Sequence, residues 1–357
     1  MNFRSVAAVM AALSISASGV IAPELPSAPV AHAQDGAEFY NGALVTRVAI
    51  GEGTLMARKG NVQMSSVREQ VRQQIRDVRA KMWDENVVFT ESGQAPSRLR
   101  DVAAKHGIYT KQQYLDAVQF DSNAERVALQ RAVEASMRFA HDRTNGTGAA
   151  TASANGMVAG IENLASTGAL GAVNAWASEY PDLVAAGGAW NSSTGHLWNL
   201  LNPAARSFGQ AAFSNFVALR VGTEAPNNQT WNLPDGEYLI PFAADDALLQ
   251  RGKPSRTQLQ LGETGHIAIN VEGEVPKMWD NNQTPAFLYG AFESADPSIV
   301  TVTPPNQIYG AKTGTTTLTI NPRNTQNQYT GKIQSVQITV VEKVAPAPRP
   351  GGSSLSS

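Results

Sequence analysis

Of the side chains in this sequence that could hold a metal, pass a proton or attack an electrophile, histidines are scarce and cysteines are missing. There are five histidines and no cysteine. Thiolate ligands and thiol nucleophiles are therefore excluded, and any catalysis must come from His, Glu, Asp, Ser or a bound metal. His32 lies in an apolar N-terminal segment, His106 at a helix end where a cation is mildly favoured, and His266 in a strand-like run. The other two are placed differently. His141 ends a well-marked helix just before the small-residue stretch TNGTGAATASANGMVAG (144–160), and His196 opens a short helix in NSSTGHLWNLLNP (191–203). Between them stand Glu162, in GIENLA, and Glu179, in AVNAWASEY. Neutral imidazole suits zinc and similar ions, and a nearby carboxylate can orient the ring or take a proton. None of the separations matches a local ligand motif such as H-E-x-x-H, so spacing alone does not gather the four into one site. A histidine at a capped helix end is more often simply hydrogen-bonded.

Helices must position these groups. Val67, Val71, Ile75, Val78 and Met82 form one stripe behind Ser66-x-x-Glu69, a capping-box pattern. Arg68, Arg72, Arg76 and Arg79 take the opposite face, which reads as solvated. Short helices are expected over 97–105, stopped by Gly107, and over 110–118, opened by Thr110-x-x-Gln113. Ser122-x-x-Glu125 should cap the next, whose small-residue face is Leu129, Ala132, Val133, Ser136 and Ala140. A further helix carries Leu170, Val173, Trp176, Ala177 and Tyr180 and stops at Pro181, while Ser192 and Ser193 are the expected caps for the helix bearing His196. SFGQAAF and NFVALRV (207–221) read as a strand hairpin, and 144–160 as a long loop.

The 357 residues, 42% hydrophobic, suffice for roughly two domains. A net charge of -2 gives no pull toward nucleic acid, which is not expected as a partner. Residues 1–33 read as a signal peptide: Arg4, an apolar run over 6–22, and the small-x-small site AHA at 31–33. The expected location is outside the cell or held at its envelope, with no transmembrane segment. Residues 34–64 form a mixed lead-in. Helices followed by strands without regular alternation give an α+β domain over 65–223. Residues 224–254 read as a linker with one candidate strand, EYLIPFA. Alternating strands and turns over 255–342 read as a small all-β sandwich, and 343–357 as a flexible Pro/Gly/Ser tail.

FAHDRTNG (139–146), GIENLA (160–165), AVNAWASEYPDL (172–183) and STGHLWNLLNP (193–203), in this order, resemble the signature blocks of the CAP superfamily, also called SCP domains. ERVALQRAVEASMRFAHDR is similar to its exported bacterial branch. The resemblance implies a CAP-type α-β-α sandwich with a cleft tetrad of His141, Glu162, Glu179 and His196. It further implies a divalent metal, typically zinc, on the two histidines, with Glu162 or Glu179 as acceptor or general base. Some positions depart from the pattern. Ala140 and Asp142 flank His141 where Ser and Thr are usual, Thr144 replaces a usual Pro, and Gly160 is displaced by one, which should tilt Glu162. FESADPSIVTVTPPNQIYGAKTGTTTLTI (292–320) is similar to group 2 bacterial Ig-like domains, which space or attach surface proteins. Three functions are open on these residues. The first is a secreted binding protein for a lipid or envelope glycan, the second a metal-assisted hydrolase of peptide or glycan, and the third a structural or adhesive protein with a vestigial tetrad.

Overall fold

The structure is a computed structural model that describes residues 43–158, 160–226, 231–279, 284–304 and 306–343. The signal-peptide reading of 1–33 and all but the first residue of the tail lie outside these residues.

The lead-in contains β1 (Thr54–Gln63), a ten-residue strand whose first five residues are buried. Its apolar pattern is interrupted by Arg58, which is itself buried and donates to the carbonyls of Ser136 and Thr284. After β1 come α1 (Arg68–Glu85), the short pair β2 (Val88–Phe89) and β3 (Ser97–Arg98), α2 (Leu99–Lys105), α3 (Lys111–Asp116) and α4 (Ser122–Met137). The stretch 144–160 is no open loop: β4 (Ser153–Ala154) and β5 (Met157–Val158) make a hairpin turned by Asn155 and Gly156, both at positive φ. Next are β6 (Ile161–Ala165), α5 (Ala169–Ala177), α6 (Tyr180–Ala185), α7 (Gly195–Leu201) and the expected hairpin β7 (Ser207–Phe213) and β8 (Phe216–Gly222).

Beyond residue 223 the chain returns to the same sheet. The candidate strand in the linker is β9 (Gly236–Ala244), which pairs antiparallel along β1 from Thr54↔Ala244 to Val62↔Gly236. After α8 (Asp246–Leu249) come β10 (Gly252–Pro254), β11 (Gln258–Gln260), β12 (Thr264–His266), β13 (Ile269–Val271), β14 (Ala286–Leu288), β15 (Gly290–Ser294), β16 (Val300–Thr303), β17 (Gln307–Gly310), β18 (Gly314–Pro322) and β19 (Gln334–Val341). The main sheet runs β10-β13-β14-β1-β7-β8-β6, with β9 on β1. The remaining strands make a four-stranded sheet, β11-β19-β18-β15, and a three-stranded one, β12-β17-β16. These strand-rich residues do not form a detached unit. One apolar cluster runs from Leu129 and Val133 of α4 through Phe213 and Phe242 to Leu318 and Ile338.

α4 covers one face of β7 and β8; α1 and α5 cover the other, where Val71, Ile75, Val173 and Trp176 meet Phe208, Val217 and Leu219. Gly209 lets α4 come close, since a Cβ there would lie 2.1 Å from the Ala124 carbonyl carbon. Several local expectations change. Ser66 bonds Asp235 instead of capping α1, and α4 is capped by Asp121, which accepts from the amides of Asn123 and Ala124. Pro181 does not end a helix; it sits in the first turn of α6, where its missing N–H costs nothing. Thr194, not Ser192 or Ser193, is the N-cap residue of α7. The arginine face of α1 is tied down. Arg79 is buried, donates to the carbonyls of Tyr114 and Leu200, and lies 3.7 Å over the Tyr114 ring; Arg68 pairs with Glu125. The capping box at Thr110 and Gln113 is present as expected.

Candidate functional site

β6 is an edge of the main sheet, and its alternation decides which residues meet which histidine. Leu164 joins the α4-side cluster and Ala165 the cluster under α5. Glu162 therefore faces α4, opposite Arg220 in the register, while Asn163 faces α7.

On the α4 side, His141 arrives from the loop after α4 with Nδ1 2.9 Å from Glu162 Oε1. That loop is fastened at three points. The Arg143 amide donates to the Thr147 carbonyl at 2.7 Å, Thr144 Oγ1 to the Ala243 carbonyl at 2.5 Å, and Asn145 Nδ2 to the Glu52 carbonyl at 2.9 Å. On the α7 side, His196 Nδ1 lies 2.6 Å from Glu179 Oε1, and the second oxygen of Glu179 accepts from the Leu197 amide at 2.9 Å. Asn163 holds this region from the strand: its Nδ2 donates to the His196 carbonyl at 3.0 Å and its Oδ1 accepts from Asn199 Nδ2 at 2.7 Å.

Both imidazoles are buried. An ionised carboxylate can only accept, so in the neutral ring Nδ1 carries the proton and Nε2 keeps its lone pair. Nε2 of His141 and of His196 is buried and has no hydrogen-bond partner among the described residues. His141, Glu162, Glu179 and His196 thus form two separate His–Glu pairs, with no hydrogen bond from one pair to the other. No group of three or more His, Asp or Glu side chains among the described residues is placed to hold a metal ion.

The two carboxylates differ sharply in surroundings. Glu162 accepts from Arg131 Nε at 2.8 Å and from Arg220 Nη1 at 2.8 Å. Arg131 also pairs with Glu134 at 2.5 Å, and Glu134 with Arg143 at 2.7 Å. All five side chains are buried. Burial alone would raise the Glu162 carboxyl, but the charges of Arg131 and Arg220 and the bonds from His141 and Arg131 overcome it and hold the group far below the usual carboxylate range. Glu134 is lowered in the same way by Arg143 and Arg131 against its burial. Three guanidiniums face two carboxylates, and the surplus shows at Arg220, whose Nε and Nη2 have no partner among the described residues. Glu179 is held by one histidine and one amide.

Beside the pairs lies a cleft of about 870 Å³. Its lining includes Ile161, which precedes Glu162, and Trp198, two positions after His196, together with Met157 of the β4–β5 hairpin and the 90–94 segment. None of the four tetrad side chains lines it.

Residues 75–215 match the model of the cysteine-rich secretory protein family, CAP. The match covers less than half of the 357 residues and makes this stretch similar to CAP domains. No curated protein matches the chain. The match runs from within α1 to the turn after β7, so β1, β8, β9 and the strands that extend the main sheet beyond them fall outside it.

The sequence blocks pointed to His141, Glu162, Glu179 and His196, which the structure joins in two pairs, and gave neither that pairing nor its supports. Gly160, displaced by one, does not turn Glu162 away from His141. His106 forms a third, half-exposed pair, its Nε2 2.6 Å from Glu91 Oε1, and His266 is exposed in β12. Arg131, Glu134, Arg143, Asn163 and Arg220 were missed. The signal available for the first two was their i,i+3 spacing on a helix with little polar surface, a pairing distance that says nothing about burial. No helix among the described residues is long and apolar enough to cross a membrane.

Proposed function

We propose that the CAP domain is an extracellular binding module in which His141 and His196 hold a divalent cation of the zinc type and the adjoining cleft takes up a lipid or envelope glycan. The observation that carries this reading is the state of the two rings: each Nδ1 is engaged by a carboxylate, and each Nε2 is buried and bare. That is the arrangement in which an imidazole is pre-oriented as a ligand and made more basic. A cation bound there would polarise a ligand oxygen or a water. Two nitrogen donors leave coordination positions for the ligand itself.

Binding fits the surroundings better than hydrolysis. Glu162 is poorly suited to act as a general base, because two guanidiniums hold its carboxyl far below the usual carboxylate range and a proton acceptor works best with a pKa near the working pH. Glu179 is the remaining candidate for the alternative reading of metal-assisted cleavage of peptide or glycan. The strands of 255–342, read as an Ig-like module, would space or attach the protein, and their pairing to β1 through β13 and β14 would fix its orientation.

The test is calorimetric titration of Zn²⁺ into the chain from residue 34 and into a His141→Ala/His196→Ala variant whose circular dichroism matches. Binding at about micromolar affinity that disappears in the variant is the expected result, worth about 8 kcal/mol. Equal binding by both proteins, or by neither, overturns the metal assignment.

A further inference from the structure

The 870 Å³ cleft beside the pairs carries its own chemistry. We infer that it is a binding site for a neutral oligosaccharide, with Trp190 and Trp198 as ring platforms, Trp190 as donor, and Glu91, Glu224 and Asn202 as hydroxyl partners. The inference rests on the binding-module reading and selects the glycan over the lipid, but it does not depend on the metal.

Three observations lead there. First, the described residues of the lining include two tryptophans and no lysine or arginine. A phosphate headgroup, fatty carboxylate or sulfated sugar would meet Glu91, already bonded to His106, and Glu224, with no lysine or arginine among the described lining residues to attract it. Second, the wall mixes the two kinds of surface. Thr90, Ser92, Gln94, Asn202 and Thr223 join the two carboxylates beside Met157, Ile161 and Val221, and burying the polar groups against hydrocarbon without partners costs free energy at each one. A sugar supplies partners to both kinds of group, because its hydroxyls both donate and accept while the axial C–H face of the ring is apolar.

Third, Trp190 lacks an acceptor. Its indole Nε1 is buried and has no hydrogen-bond partner among the described residues, although a buried indole N–H normally finds one. Trp198 shows the contrast. Its Nε1 donates to the Thr90 carbonyl at 3.0 Å, and one face of its ring is stacked on Phe89 with centroids 4.8 Å apart. Trp198 is therefore fixed in the wall, and Trp190 is the tryptophan with a donor left for a ligand oxygen. The volume lies within the range of roughly 300–1,000 Å³ typical of ligand sites, enough for more than one sugar ring.

The experiment is titration of the chain from residue 34 with chitotriose, cellotriose and maltotriose, followed by calorimetry and tryptophan fluorescence, with palmitate as the lipid probe. At least one trisaccharide should bind saturably. Trp190→Ala should weaken it by about tenfold or more, Trp190→Phe by about three- to fivefold because the ring stays and the N–H goes, and Glu224→Gln by a few-fold. Failure of all three sugars to bind overturns the inference, as does palmitate binding that Trp190→Ala abolishes, or sugar binding that a folded Trp190→Ala retains. Zinc binding without sugar binding overturns this inference alone; sugar binding without zinc binding overturns only the metal assignment.

Discussion

Glu162→Gln should destabilise the protein more than any other substitution in the tetrad. The carboxylate is the acceptor for Arg131, Arg220 and His141 at 2.8, 2.8 and 2.9 Å, inside a cluster where three guanidiniums already outnumber two carboxylates. Glutamine fits the space but takes away the charge and turns an amide donor toward a guanidinium. Removing one partner of a buried ion pair costs about 3–5 kcal/mol. With a urea slope of about 3 kcal/mol per molar, the unfolding midpoint should fall by about 1–1.7 M. A second readout is pH. Because the folded Glu162 pKa is depressed, its contribution is complete above the ordinary glutamate range and is lost as pH falls toward the folded value. The parent should therefore lose stability below about pH 4 more steeply than the variant. A third is rescue: adding Arg220→Met removes the guanidinium whose Nε and Nη2 are unpartnered, so the double variant should be more stable than Glu162→Gln alone. A loss below about 1 kcal/mol, unchanged acid sensitivity, or no rescue would refute a dry, tightly coupled cluster.

Other changes probe the supports. Asn163→Ala breaks the links to the His196 carbonyl and to Asn199; a loss of about 1–3 kcal/mol in urea unfolding is expected, together with weaker Zn²⁺ binding in calorimetry. Gly209→Ala drives a methyl into the α4 backbone at Ala124, so the thermal midpoint should drop by several degrees, at a cost of about 1–3 kcal/mol. Arg138→Ala removes pairs to Asp245 and Glu274 that are partly solvated; the loss should be at most about 1–2 kcal/mol and should shrink in high salt. A chain ending at residue 223 lacks β9 and the strands behind it, and its circular dichroism and amide exchange should show no cooperative fold.

The helices and the members of the two His–Glu pairs were legible as candidates because both leave marks that survive in one dimension. The stripe of Val71, Ile75 and Met82, the capping box at Thr110, and the four blocks around His141, Glu162, Glu179 and His196 depend on residues close in sequence. What stayed hidden depends on distant partners. β1 carries Arg58 and Lys59 in mid-strand, and the carbonyls of Ser136 and Thr284 help make the buried arginine acceptable. The arginine face of α1 looked solvated because Tyr114, Leu200 and Glu125 lie far along the chain. The strands of 255–342 were recognisable as strands, but their alternation does not say that β13 and β14 continue a sheet begun at residue 54.

That sheet has a consequence for how the molecule is made. Thr54 pairs with Ala244 and Met56 with Leu288, so the strand synthesised first waits for partners that emerge near the end. Chains dominated by such distant pairings fold slowly, and an unpartnered strand is a template for pairing with other chains. Until β9 arrives, β1 presents open backbone edges along Leu55, Met56 and Ala57. The period between the emergence of the first strand and the last is thus the interval in which this protein most needs to be kept apart from its own copies.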